Sequence, residues 1–244
     1  MENASKRVIA LEPREEHLVA TEDRIDGICL AFADVIDAKS PFTYRHSTGV
    51  AAAAVSIAQA LSMSETEVTL IRRAALLHDI GKLGVSNMIL DKPGKLTGDE
   101  WNSVAEHPRY SLQILSRISS FGTISELAGS HHERLDGTGY FRGFGSDKLS
   151  TAARILAVAD VYDALASKRP YRDALPLEKV FGIMAKDAPR ALDATCFEAL
   201  QASSALDNVP TSQHGMTKDL LCLSASVKQE DAVLNYGVIS QMTP

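Results

Sequence analysis

The chain is poor in cysteine, and its three cysteines stand far apart. They are Cys29, Cys196 and Cys222, and none belongs to a CxxC pair. This spacing excludes a scaffold stapled by several disulfides and a cysteine-type zinc site, and it fits a reducing compartment. Long apolar runs are lacking too: no segment approaches the ~20 residues of a membrane span, and no apolar stretch of signal-peptide type follows the N-terminus. We therefore expect a cytoplasmic protein that makes no use of a membrane.

An excess of basic residues is also lacking. The 244 residues contain 25 Lys and Arg against 31 Asp and Glu, which gives a formal net charge of -6. Proteins that bind DNA or RNA are generally basic, so this balance argues against a nucleic-acid partner but leaves room for a local basic pocket that holds a small phosphorylated ligand. With 45% hydrophobic and 23% charged residues, the composition is that of a soluble globular protein of one sizeable domain or two small ones.

The alternation of polar and apolar residues that marks β-strands is almost absent before residue 205, so we predict an all-α fold. The first helix is predicted from an N-cap at Thr21 to Asp37. The apolar residues on one face of this helix are Ile25, Ile28, Cys29, Phe32, Val35 and Ile36. Capping boxes at Ser64 and Thr97 begin two further helices. The other helices are predicted at about 42–61, 123–133, 150–166, 176–186 and 192–202.

Glycine sets the predicted loops, at 81–98 and at 134–145. Pro108 predicts that the helix carrying His107 is interrupted just after that residue. The domain organisation that we predict is a flexible lead, one helical domain and a C-terminal extension of two short strands or a weak helix pair, at 1–20, 21–205 and 206–244 respectively.

A histidine and an aspartate stand side by side at the end of an apolar helical run. They are His78 and Asp79, and Gly81 and Lys82 follow. A buried, ionised carboxylate costs free energy unless it is paired or bound to a metal. The alternative is an ordinary helix end, with Gly81 as a left-handed cap and His78 as a hydrogen-bonded core residue.

The other histidines favour the metal. Five of the seven histidines lie between residues 46 and 132, each in or beside a predicted helix: His46, His78, His107, His131 and His132. Downstream, Asp160 is a second carboxylate inside an apolar helix. Neutral imidazole is the commonest metal ligand, and carboxylates complete such sites. The set is larger than one tetrahedral zinc needs and suits a two-metal site in which one carboxylate bridges; the alternative is five unrelated structural histidines.

These residues form a series of motifs that resembles the HD-GYP domain, a branch of the HD superfamily of metal-dependent phosphohydrolases. The resemblance covers about 44–172, and the motifs stand in the family's order and spacing. They are Arg45-His46-Ser47, Leu76-Leu77-His78-Asp79-Ile80-Gly81-Lys82, Lys92-Pro93-Gly94-Lys95-Leu96, Glu106-His107, His131-His132-Glu133-Arg134-Leu135-Asp136-Gly137-Thr138-Gly139-Tyr140 and Asp160-Val161-Tyr162-Asp163-Ala164-Leu165.

The resemblance implies an all-helical bundle with a two- or three-metal site that hydrolyses cyclic di-GMP to pGpG or GMP. Some members carry a Glu for a third metal where this chain has Phe42, which favours two ions, expected to be Fe or Mn. The implied metal ligands, with Asp79 bridging, are His46, His78, Asp79, His107, His131, His132 and Asp160. The residues implied to lie near substrate are Lys82, Tyr140, Arg169 and Arg172.

The name-giving Gly-Tyr-Pro of the family reads Gly139-Tyr140-Phe141 here. Proline restricts the backbone, so its loss predicts a more mobile loop and bears on the binding of a signalling-protein partner through this loop.

The expected mechanism uses two metals to lower the pKa of a bridging water and hold it in line with phosphorus, with Asp79 and Lys82 as catalytic residues. Lys82 would neutralise charge or protonate the leaving 3′ oxygen, or it is a solvated lysine at a helix end. Tyr140 would stack on guanine, or it only packs the loop. Asp163 would orient a ligand histidine, or it is a surface carboxylate.

Arg169 and Arg172 would bind phosphate or guanine edges, or they form a solvated turn. Three rival functions remain at this point: a non-catalytic sensor of nucleotide or partner, a phosphohydrolase that acts on another cyclic dinucleotide, and a purely structural helical module that binds no metal.

Overall fold

The protein is described by a computed structural model over residues 21–40, 45–168 and 173–207, with side chains as far as Ser204. The predicted lead 1–20 and nearly all of the extension 206–244 lie outside the described residues, and so do Phe42, Arg169 and Arg172. The domain limits drawn from the sequence therefore stay predictions.

Helices account for all the regular secondary structure of the described ranges, which contain one isolated β-bridge, Asp136 to Gly145, and no strand. The prediction of an all-α fold is confirmed. The helices are α1 (Glu22–Asp37), α2 (His46–Ala60), α3 (Glu65–Leu77), α4 (Asn87–Leu90), α5 (Gly98–Ala105), α6 (His107–Leu115), α7 (Gly122–Ala128), α8 (Thr151–Ala166), α9 (Leu177–Met184) and α10 (Ala194–Asp207). Two short 3-10 turns are Ile80–Gly84 and Ser119–Phe121.

The centre of the bundle is α2, which packs against α3 and α8. Its inward residues include Val50, Ala54 and Ala58, all of which are fully buried. Small side chains let the neighbouring helix axes approach closely, so the buried surface comes from backbone and Cβ contacts as much as from large side chains. This close packing brings the ends of α2 and α3 and the middle of α8 to one region.

The sequence predicts the ends of several helices correctly because caps are local. The Thr21 side chain accepts a hydrogen bond from the Arg24 N–H, and both predicted capping boxes form, Ser64 with Glu67 and Thr97 with Glu100. Each cap satisfies backbone N–H groups that have no partner within the helix.

The apolar face of α1 is only partly buried. Cys29 and Ile36 are buried, but Ile28, Phe32 and Val35 are 47%, 43% and 54% exposed. The apolar residues cover a wider arc of the helix than its contacts with α2 and α3 can bury, since a helix at the edge of a bundle packs along one side only.

The predicted loop at 81–98 contains the 3-10 turn Ile80–Gly84 and the short helix α4, so that prediction is wrong in part. Gly81 is not in the left-handed region, which rules out the left-handed cap considered above. A Cβ on Gly81 would lie 1.9 Å from the carbonyl oxygen of His107. Glycine is needed here because α6 packs directly onto the backbone that follows Asp79.

Two further helix limits differ from prediction. The interruption near Pro108 falls at Glu106, one residue early, so His107 begins α6 with Pro108 in its first turn, where a missing N–H costs little. The helix predicted at 123–133 ends at Ala128, and His131 and His132 lie in the turns that follow.

Candidate metal centre

The proposed ligands come from separate parts of the chain, mostly from the ends of helices. His46 is the first residue of α2, His78 and Asp79 directly follow α3, and His107 is the first residue of α6. Asp160 lies within α8. The structure brings all seven predicted ligands to one region of the bundle: His46, His78, Asp79, His107, His131, His132 and Asp160.

Asp79 lies at the middle of this group and is 1% exposed. Its Oδ1 lies 3.1 Å from His107 Nε2 and 3.8 Å from His131 Nε2. Its Oδ2 lies 3.4 Å from His78 Nε2 and 3.7 Å from His46 Nε2. The two oxygens of one carboxylate thus face two different pairs of imidazoles, which is the arrangement of a bridging ligand.

Asp160, within α8, supplies the second carboxylate. Its Oδ1 lies 3.1 Å from His46 Nε2 and 3.8 Å from His78 Nε2, and its Oδ2 lies 3.5 Å from His132 Nδ1. Asp160 therefore reaches the imidazoles that face Asp79 Oδ2, together with His132.

Backbone carbonyls fix the ring orientation of three histidines. The Nδ1 atoms of His78, His107 and His131 lie 2.6–2.7 Å from the carbonyl oxygens of the residues three positions earlier. A carbonyl only accepts hydrogen bonds, so each Nδ1 carries the proton and each Nε2 presents a lone pair to the centre. This is the hydrogen-bond pattern of metal-binding histidines.

Two observations test whether these residues fit divalent cations. His107 Nε2 and His131 Nε2 lie 3.1 Å apart although neither has a proton to share, so their lone pairs repel unless a cation lies near both. His78 Nε2 and Asp79 Oδ1 are buried and have no hydrogen-bond partner within the described residues. Buried polar atoms of this kind are costly without a partner. The donor set therefore fits bound divalent metal.

The protonation states of the side chains at the centre also favour the binding of cations. Burial opposes ionisation of Asp79, but the charge of Lys82 together with the interactions of the carboxylate with His78 and His107 outweighs burial and holds the pKa of that carboxyl well below its usual range. Burial lowers the pKa of the His131 imidazole far below its ordinary value and that of His132 to about 3. The centre thus combines an ionised Asp79 with neutral His131 and His132, the protonation states that metal ligands need.

His46 is held by a further carboxylate. Its Nδ1 lies 2.6 Å from Asp163 Oδ2, one turn beyond Asp160 on α8. Asp163 fits there because residue 49 is glycine: a Cβ at Gly49 would lie 2.0 Å from Asp163 Oδ1. Burial disfavours the His46 imidazolium, but hydrogen bonds to Asp160 and Asp163 outweigh burial and raise its pKa to about 9. A metal would take the place of the proton on Nε2 while Nδ1 continues to donate to Asp163.

Two of the residues expected near substrate lie beside the centre. Lys82 Nζ lies 2.5 Å from Asp79 Oδ2, and the side chain is 18% exposed. The Tyr140 ring lies 4.4 Å from the His132 ring, with Trp101 5.9 Å from Tyr140. Burial, together with the negative charge of Asp160, raises the pKa of the Tyr140 hydroxyl, so it stays neutral.

Sequence reasoning gave no role to three residues that support the centre. Ser111 Oγ donates to the His78 carbonyl at 2.6 Å and accepts the Gly81 N–H at 2.9 Å, which ties α6 to the turn that holds Asp79. Glu133 accepts hydrogen bonds from the backbone of the glycine-rich loop, 134–145, and the Trp101 ring lies beside the Tyr140 ring of that loop. Glu133 could have been found as a carboxylate directly after two predicted ligands, and Trp101 as the single tryptophan of the chain; nothing in the sequence marks Ser111.

The helical bundle and its cluster of histidines and aspartates together point to one protein family. The family model described as the HD domain matches residues 31–196. The chain belongs to the HD domain family, the metal-dependent phosphohydrolases, and within it to the HD-GYP type.

Individual proteins similar to this chain carry names that fit this family. The chain is 49% identical over 197 residues to the 3′3′-cGAMP-specific phosphodiesterase 3 of Vibrio cholerae, covering 81% of this chain and 43% of the relative. It is 36% identical over 207 residues to the cyclic di-GMP phosphodiesterase response regulator RpfG of Xanthomonas campestris, covering 82% of this chain and 53% of the relative.

A solved structure of a cyclic GMP-AMP specific phosphodiesterase from V. cholerae matches with a TM-score of 0.52 and 43% identity, covering 86% of this chain and 47% of that one. The chain thus spans about half the length of these relatives. None of the described helices is long and apolar enough to cross a membrane.

Proposed function

We propose that the chain is a metal-dependent phosphodiesterase that hydrolyses cyclic di-GMP to pGpG, GMP or both. The observation that carries the proposal is the position of Asp79, with its two carboxylate oxygens turned towards separate pairs of imidazoles. The names of relatives such as RpfG support the substrate class.

Two divalent ions, Fe or Mn, would be held with Asp79 between them. The Oδ2 side would use His46, His78 and Asp160. The Oδ1 side would use His107, His131 and His132, whose ligand atoms lie within 4.8 Å of one another. When bound, the ions supply Lewis acidity towards phosphate and lower the pKa of water.

Lys82 would serve the leaving group. Its ammonium is held by Asp79 at the edge of the centre, so it can donate a proton to the departing 3′ oxygen or neutralise charge on the phosphate. Tyr140 would place its ring against a guanine base. Arg169 and Arg172, outside the described residues, would contact phosphate or guanine edges.

A second substrate has its own support. The 49% identical relative is named as 3′3′-cGAMP-specific, and so is another at 37% identity. Cyclic GMP-AMP differs from cyclic di-GMP in one base only, so the same centre would cleave either, and the groups around the second base would set the preference.

The experiment offers several dinucleotides side by side. The protein is loaded with Mn²⁺ or, under reducing conditions, Fe²⁺, and given cyclic di-GMP, 3′3′-cGAMP and cyclic di-AMP, with products separated by chromatography. We expect pGpG or GMP from cyclic di-GMP, and no turnover by Asp79→Asn. Faster cleavage of 3′3′-cGAMP selects the second substrate, and tight binding without cleavage selects a sensor.

Two wider aspects belong to the proposal. The reaction would take place in the cytoplasm; the described cysteines, Cys29 and Cys196, are free and buried, which fits a reducing compartment. A signalling-protein partner would bind at the loop that contains Gly139, Tyr140 and Phe141.

A further inference from the structure

The glycine-rich loop is folded around one buried carboxylate. Glu133 is 3% exposed and directly follows His132. Its Oε1 accepts the backbone N–H of Arg142 at 3.1 Å, and its Oε2 accepts the backbone N–H of Phe144 at 2.9 Å. Hydrogen bonds to an ionised acceptor are among the stronger ones in proteins, and here both come from the loop backbone.

The loop also approaches Glu133 closely from its other arm. A Cβ on Gly139 would lie 2.5 Å from the Glu133 Cα and 2.7 Å from Oε2. Residues on both sides of Tyr140 are therefore fixed to the same side chain, Gly139 by contact and Arg142 by a hydrogen bond. The loop cannot shift as a unit without breaking these contacts.

Tyr140 is the first of the two residues held between these two contacts; Phe141 is the other. Its ring lies 4.4 Å from the His132 ring at 36° and 5.9 Å from the Trp101 ring at 79°. The ring is thus placed at the edge of the metal centre by a loop whose own anchor is one residue from a ligand.

We propose that Glu133 is the positioning residue that holds Tyr140 beside the metal centre, and so sets affinity for the nucleotide base rather than the capacity to bind metal. The part of this inference that concerns the base rests on the proposed function; the part that concerns the place of Tyr140 does not.

Trp101 makes the position of Tyr140 measurable without turnover. It is the only tryptophan of the chain, so its emission comes from one place. With Tyr140 displaced, Trp101 loses an aromatic neighbour, and a small quencher such as acrylamide should reach it more readily.

The variants are Glu133→Gln, which leaves one acceptor and puts an N–H donor against the other loop N–H, and Gly139→Ala, which displaces the loop with the carboxylate intact. Glu126→Gln is the control, because Glu126 also contacts the loop, through the Arg142 side chain at 2.7 Å, but is 60% exposed. Metal content, thermal unfolding, acrylamide quenching and steady-state kinetics are measured for each.

For both variants we expect metal content close to that of the native protein and a folded chain with a lower thermal midpoint, since each change disturbs buried loop contacts. We also expect stronger quenching of Trp101 and a KM raised roughly tenfold with kcat within about twofold. The control should match the native protein. In a Tyr140→Leu background, Glu133→Gln should raise KM little further, because both changes remove the same contact.

Unchanged quenching and KM in a folded Glu133→Gln protein would overturn the proposal. So would loss of metal together with kcat, since that result assigns Glu133 to the support of His132 alone. If the native protein cleaves no dinucleotide, the proposed function fails. The quenching of Trp101 still decides whether Glu133 holds Tyr140 in place.

Discussion

At the scale of single residues, the centre depends on which nitrogen of each histidine carries a proton. In His78, His107 and His131, a backbone carbonyl that accepts a hydrogen bond places a proton on Nδ1. In His46, the Asp163 carboxylate has the same effect. The sequence indicates that these residues bind metal, because several imidazoles and buried acids are hard to explain otherwise. It cannot indicate the tautomers, since the accepting carbonyl of each ring depends on where its helix begins or ends.

His46 makes metal binding depend on pH. With its pKa raised to about 9 in the metal-free protein, metal must displace a proton. We expect apparent affinity for Mn²⁺ to rise about tenfold per pH unit from pH ~7 to ~9 and then level off. The same proton stabilises the metal-free fold below pH ~6.5, and that contribution is lost as pH rises through about 9.

Competition with a chromophoric chelator measures the affinity at each pH. Asp163→Asn removes one of the two carboxylates that raise the pKa of His46, so the pH dependence should flatten in this window. Asp34→Asn, at an exposed position of α1, should leave it unchanged. Affinity that does not change with pH in the native protein would contradict the expectation.

At the scale of elements, the ligands are delivered by helix ends that pack against each other. Sequence reasoning predicts those ends that a cap or proline fixes locally, as at Ser64 and Thr97. It misplaces the end of α7, because the chain continues beyond Ala128 in turns with their own backbone hydrogen bonds, which the sequence does not distinguish from a helix. It also misses the packing of α6 on Gly81, which no local pattern records.

Gly81→Ala tests that packing. The new methyl group would meet the His107 carbonyl oxygen and the backbone of Ser111, so α6 must move away from Asp79. We expect a loss of about 1–3 kcal/mol in the free energy of unfolding, measured in urea, together with weaker metal binding.

Gly182→Ala in α9 is the matched control. Nothing lies within 4 Å of its added Cβ, so the change should be neutral or stabilise by up to about 1 kcal/mol. Equal behaviour of the two variants would show that α6 does not need to approach residue 81 closely.

At the scale of the whole molecule, the metal centre joins segments that are distant in sequence. His46 and Asp160 are more than a hundred positions apart, yet their side chains meet at 3.1 Å. The sequence predicts the helical class and the set of residues that converge. How much of the apolar face of α1 is buried could not be predicted, because the pattern of apolar residues on a helix does not show which other elements pack against it.

Removal of metal should therefore weaken the entire bundle. Without cations, the buried carboxylates and the lone pairs of the imidazoles remain uncompensated. We expect chelation to lower the thermal midpoint reversibly, since an ion at a hundred times its dissociation constant stabilises the fold by about 2.7 kcal/mol.

Thermal unfolding with and without chelator, followed by return of Mn²⁺, makes the measurement. Asp79→Asn protein should show little response to either step. A native protein whose midpoint ignores both would contradict a metal-linked fold.

The place of Asp79 has one more consequence. When one carboxylate is shared by two cations, the first cation to bind neutralises most of its charge. That bound cation then repels the second. The two positions should fill in sequence, the second at higher metal concentration. A sample with one ion per chain would be half loaded, and a rate of the proposed reaction measured on it would describe how the sample was prepared rather than the fully loaded protein.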